Sequence, residues 1–222
     1  QMKLSRLAEE GFDDAVHNIA RFANAQNAVS ASDLFAGHPD FKRVERLSRE
    51  TIAPQGATTG VNSYWYFERT TGGYRVEHRR HTGIALKVWQ MVNPKSQLLS
   101  KTDVARDEMT FASEPHQVSA GAQKNITAFG KLIRGNWDED PEYFDAAYFK
   151  RLVGRAILTR AIDALIPKQS WYAGSILRPL STYTLSLMSH RMGALQLEPD
   201  YEAIWRTQKA PTSFLDEAMR LA

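Results

Sequence analysis

From Lys101 onward the chain is governed by one period: apolar residues return every three or four positions, which puts them on a single face of a helix and leaves no room for strand alternation. "KTDVARDEMTFA" opens as a helix with Thr102 or Asp103 as its cap. "SAGAQKNITAFGKLIRG" sets Ala122, Ile126, Phe129 and Ile133 at helical spacing, with Gly135 closing it. "DEDPEYFDAAYFKRLVGRAILTRAIDALIPKQ" predicts a long helix beginning near Asp140, since Pro141 suits a first helical position and Glu142 the positive end of the dipole. "LRPLSTYTLSLMSHRMG", "EPDYEAIWRTQK" and "TSFLDEAMRLA" complete a C-terminal helical bundle, the last capped by Thr212 or Ser213.

Upstream the pattern is mixed. "FKRVERLSRETI" predicts a helix burying Phe41, Val44 and Leu47, with Lys42, Arg43, Arg46 and Arg49 largely outside. "SYWYFER" has the aromatic density of a strand, "TTGGY" that of a turn, and "YRVEH" reads as the return strand of a hairpin. "GIALKVWQMV" is helical in period and "SQLLS" is a short strand. The fold class expected is α+β, predominantly helical, with a small antiparallel sheet or hairpin and a C-terminal helical bundle. The expected division is a mixed region over 1–136 carrying the hairpin at 63–81 and a helical region over 137–222, together forming one integrated domain.

Composition removes several classes of function. There is no cysteine, so disulfides, thiolate zinc sites, iron–sulfur clusters and a cysteine nucleophile are excluded. No apolar run approaches the roughly 20 residues of a membrane helix, and no signal-peptide core is present at the N-terminus, so a cytoplasmic protein without membrane association is expected. Gln1 ahead of Met2 fits an excised fragment better than a native start. Motifs for nucleotide hydrolysis, dinucleotide binding, a HExxH zinc site and a nucleophile elbow are all lacking, and no cofactor is expected.

The net charge of +3 is small, so a polyanion surface has to come from clustering. The segment from Tyr64 to Lys87 supplies it, with Arg69, Arg75, Arg79, Arg80 and Lys87 against Glu68 and Glu77. Arginines beside aromatics can neutralise phosphate and stack on bases. Asn24, Gln26, Asn27, Gln123 and Lys124, in the polar stretches "NAQN" and "GAQKN", add donors and acceptors suited either to bases and phosphates or to loop capping. Arg75 and His81, with five residues between them, are candidates for metal-independent RNA cleavage, the histidine serving acid–base chemistry on a phosphodiester. Chance alone supplies about 1.5 such matches in a chain with 18 arginines and 6 histidines, so the spacing carries almost no weight. The acidic run Asp138, Glu139, Asp140, Glu142 and Asp145 is better read as helix initiation than as a metal site, and no metal is expected. Arg151 and Arg155, one turn apart, read as a solvated face.

Five stretches in fixed order, "NAQNAVSASDLFAGHPDF", "YFERTTGGY", "SKTDVA", "PHQVSAGAQKNITAF" and "QSWYAGSILRPLSTYTLSLM", resemble the C-terminal part of AIPR proteins, the abortive infection and phage resistance family. Thr71 stands where the family's turn commonly carries arginine. The resemblance implies a bacterial phage-defence protein, and the basic cluster adds nucleic acid, DNA or RNA, as the expected partner. An RNase toxin and a non-catalytic regulatory module that docks an upstream part or a defence-system protein are the alternatives.

Overall fold

The computed structural model describes residues 36–37, 39–54, 62–112, 121–139, 145–174 and 176–222. The order of elements is α1 (Pro39–Glu50), β1 (Ile52–Ala53), β2 (Ser63–Tyr64), β3 (Tyr66–Glu68), α2 (Gly73–Arg79), α3 (Gly83–Val92), β4 (Leu98–Ser100), α4 (Lys101–Ala112), α5 (Ala122–Glu139), α6 (Ala146–Leu165), α7 (Leu177–Ala194), α8 (Tyr201–Thr207) and α9 (Thr212–Leu221). This is the expected α+β chain, mostly helical. Among the described residues the sheet content is two short pairs: β1 and β2 run antiparallel, with Ile52 opposite Tyr64, and β3 and β4 run parallel, with Phe67 opposite Leu99.

The parallel pair explains the largest departure from the sequence reading. Parallel neighbours cannot be joined by a tight turn and need a crossover. The chain between Glu68 and Leu98 is that crossover, and α2 and α3 fill it. "YRVEH" is therefore helix rather than a return strand, and the hairpin over 63–81 does not form. The alternation of Tyr74 and Val76 resembled a strand. In the helix, however, Tyr74 turns inward with His78 four residues on, while Val76 faces out.

α6 is the hub. Tyr148, Phe149, Leu152, Val153, Ala156, Ile157, Leu158 and Ile162 are all buried, more than one helical stripe can carry, because α4, α7, α8 and α1 pack on different sides of it. Burying each such large side chain contributes about 1.5–3 kcal/mol. Toward the strands the core continues through Phe67, stacked at 6.0 Å on Phe41, whose ring meets the edge of Phe129 from α5 at 5.8 Å.

Several helix ends differ from the pattern-based expectation. Ser100 caps α4: its hydroxyl accepts from Asp103 N at 3.1 Å and donates to the Asp103 carboxylate at 2.7 Å, a reciprocal arrangement. α6 starts after Asp145, whose carboxylate accepts from Tyr148 N at 2.7 Å; 140–144 lie outside the described residues. α5 continues past Gly135 to Glu139, and Ala122 at its start is exposed. Pro211 takes the cap position of α9, making Thr212 its first helical residue.

Candidate functional site

β3 ends in a turn at Thr70–Gly73, closed by Gly73 N donating to Thr70 O at 2.9 Å. Gly72 adopts φ +81°, a left-handed conformation that glycine enters without a Cβ penalty. The chain is thereby redirected into α2, whose first turn is anchored by Tyr74 N donating to the Glu68 carboxylate at 3.0 Å. Tyr74 Oη donates to Asn93 O at 2.7 Å, and His78 and Gln90 share a hydrogen bond at 2.9 Å. The start of α2 thus meets the end of α3, and the two helices lie antiparallel.

Their common inner face is aromatic. Trp89 lies 4.9 Å from Tyr74, 5.6 Å edge-on to His78 and 5.7 Å from His81, with which it is stacked. Tyr66 meets Tyr74 at right angles, 5.1 Å away. Beneath them, the Arg49 guanidinium sits 3.5 Å from the centre of the Tyr66 ring and donates to Phe67 O at 3.2 Å. Arg49 is thus drawn inward from the solvated face expected for it, because the ring and the strand carbonyl compensate its lost hydration. Burial raises the pKa of both the Tyr66 and the Tyr74 hydroxyl, which keeps both neutral.

The arginines of this region divide in two. Arg69 is tied to the Glu45 carboxylate at 2.8 Å and donates to Ala36 O, so it fastens the strand to α1. Arg80 pairs with Glu77 at 2.7 Å. Arg75 and Arg79, one turn apart on the outer face of α2, are exposed and make no ion pair or hydrogen bond with any described residue. Lys87 is likewise exposed on α3. His81 is engaged by Trp89 and lies 4.0 Å from the Glu77 carboxylate; no described contact joins it to Arg75.

Elsewhere, Lys124 is exposed on α5 and lines an open groove with Thr127, Ala128 and Lys131, which share its helical face. Gln123 belongs to the same first turn. Asn24, Gln26 and Asn27 lie outside the described residues. Among the described residues no group of three or more histidine or acidic side chains could hold a metal ion.

A second polar centre, which periodicity did not reveal, is buried between α4, α6, α7 and α8. Arg155 pairs with Glu108 at 2.8 Å and meets the Tyr201 hydroxyl at 3.3 Å, so it belongs to the interior rather than to the solvated face expected of it and Arg151. Burial opposes its charge, but the Glu108 carboxylate and Tyr201 outweigh that and hold the guanidinium above its ordinary pKa. Arg106 pairs with Asp107 at 3.1 Å, and burial pushes the Asp107 carboxyl up to about 7 against the pull of that arginine. Ser181 donates to Asp163 at 2.5 Å, and Arg160 donates to the carbonyls of Ser96 and Leu98, holding β4 against α6. The sequence signal was present in the acids of α4, where Asp107 and Glu108 interrupt an apolar face, but Arg155, the partner of Glu108, lies about 50 residues away along the chain.

On the helical crossover, Arg75 and Arg79 thus form a basic face that no described carboxylate neutralises. The family model described as AIPR protein matches residues 1–222, and the chain belongs to that family. Membership suggests a role in abortive infection and phage resistance. No curated protein and no solved structure matches the chain. No described helix is long and apolar enough to cross a membrane.

Proposed function

We propose that this chain serves phage defence by binding nucleic acid through the outer face of α2. The observation that carries the reading is the pair Arg75 and Arg79, one turn apart and without a carboxylate partner among the described residues, while Arg69 and Arg80 are each neutralised within the fold. A guanidinium held out on a helix can release counterions from a phosphate backbone, and that release supplies most of the affinity in sequence-independent binding. Lys124 and Lys131, on one exposed face of α5, provide a further basic site.

The test is a salt titration of oligonucleotide binding by fluorescence anisotropy. Replacing Arg75 and Arg79 together by alanine weakens association and flattens the log–log salt slope by about 1.8 if both contact duplex phosphates. Arg69→Ala leaves that slope unchanged and lowers stability instead, because its guanidinium is already committed to Glu45. An unchanged slope in the double variant would remove α2 from the interface.

A further inference from the structure

The crossover pair is unusual in what it leaves uncovered. Neither α2 nor α3 has a fully buried side chain, and both rest on the strands through one aromatic face, Tyr74 from α2 and Trp89 from α3, with His78 packed on the two rings. Because both helices turn that face toward Tyr66, their opposite faces look outward together. On α3 the outward stripe is Ile84, Val88 and Met91, at positions i, i+4 and i+7, with exposures of 82%, 52% and 45%. Val76, 53% exposed, occupies the middle of the outer face of α2. An apolar stripe at this spacing is what a helix normally buries against a neighbour.

The rim of the stripe is charged in one sense only. Arg75, Arg79 and Arg80 border Val76, and Lys87 borders Ile84 and Met91 along α3. The single acid on the two helices, Glu77, is consumed by Arg80 and faces His81. Phosphate has no use for three exposed aliphatic side chains in register, whereas an amphipathic helix with acidic flanks satisfies both the stripe and the rim. α3 spans ten residues, a length of about 15 Å, which matches roughly three turns of a docked helix.

We propose that the outer faces of α2 and α3 form two sides of an incomplete three-helix packing, and that the third position is taken by an amphipathic helix of a partner protein with acidic residues flanking its apolar stripe. This inference does not rest on nucleic-acid binding: the aliphatic stripe of α3 defines the protein site, while Arg75 and Arg79, unpaired among the described residues, border both surfaces and would be shared by the two ligands.

The probe is a fluorescent synthetic helix of about 20 residues, long enough to hold helical structure, with leucines at i, i+4, i+7 and i+11 and glutamates on both flanks. Two controls carry lysines on the flanks or serines in place of the leucines. Full-chain protein should bind the glutamate-flanked peptide at least about tenfold more tightly than either control, a difference anisotropy resolves readily. Ile84→Ser with Val88→Ser should weaken that peptide about tenfold while leaving oligonucleotide affinity and the thermal melt unchanged, since both side chains are exposed. Lys87→Glu should narrow the preference for glutamate over lysine flanks.

Equal binding of the three peptides, or an unchanged affinity in the serine variant, overturns the proposal. So does self-association in sedimentation equilibrium that the serine variant abolishes, which would give the stripe to a second copy. Preferential capture by vesicles containing anionic lipid would give it to a membrane surface and likewise overturn the proposal.

Discussion

Gly154 lies in the middle of α6, where alanine would ordinarily be the better helix former by about 1 kcal/mol. Here the opposite outcome is expected. A Cβ built on Gly154 would sit 2.6 Å from Cδ1 of Tyr201 and 3.4 Å from Cε1, so the first contact is well inside van der Waals distance. The Tyr201 ring cannot simply swing aside, because its hydroxyl is engaged by Arg155, and Arg155 is in turn held by Glu108. A contact as close as 2.6 Å falls in the upper part of the about 1–3 kcal/mol that overpacking costs, about 2–3 kcal/mol, which exceeds the gain in helix propensity, and Gly154→Ala should lose about 1–2 kcal/mol net. Urea unfolding followed by circular dichroism reads this directly, and the thermal midpoint should fall by about 2–4 °C per kcal/mol. The decisive step is to repeat the substitution in a Tyr201→Ala background. With the ring gone, the same alanine should become stabilising by about 0.5–1 kcal/mol. If Gly154→Ala is neutral or stabilising with Tyr201 intact, the close approach of α6 and α8 is not what selects glycine.

Two further outcomes follow from the buried polar centre. Arg155→Leu leaves the Glu108 carboxylate buried without its partner and should cost about 3–5 kcal/mol in urea unfolding, far more than an exposed arginine would. The Asp107 carboxyl, held up at about 7 in the fold and near its usual 3.8 when unfolded, takes up a proton on folding between those values. Its stabilising contribution is present below pH 4 and lost as the pH rises through 7, at a slope of up to about 1.4 kcal/mol per pH unit. Asp107→Asn removes that slope, so the stability of the variant relative to wild type should improve from pH 5 to pH 8. A difference independent of pH would show that the carboxyl titrates in its ordinary range.

Helical period alone located α1 and every helix from α3 onward, because burial on one face repeats at a fixed interval that neighbouring residues record. It also marked the basic segment and the stretches that carry the family resemblance. The period could not tell which strand would lie beside Tyr66–Glu68. That partner, Leu98–Ser100, is 30 residues downstream, and its parallel direction is what converts the expected return strand into α2. Charge was legible as a sum but not as a division. Arg69 and Arg79 look alike in sequence, yet one meets Glu45 across the fold and the other meets none of the described residues.

The sequence by itself determined the mostly helical class, the positions of the apolar faces and the local excess of positive charge, since each depends on residues a few positions apart. Tertiary structure decided which cations stay available, which acids are enclosed and which aliphatic stripe goes uncovered. Those outcomes depend on groups brought together from distant parts of the chain, where desolvation and pairing act on distances that no linear spacing encodes.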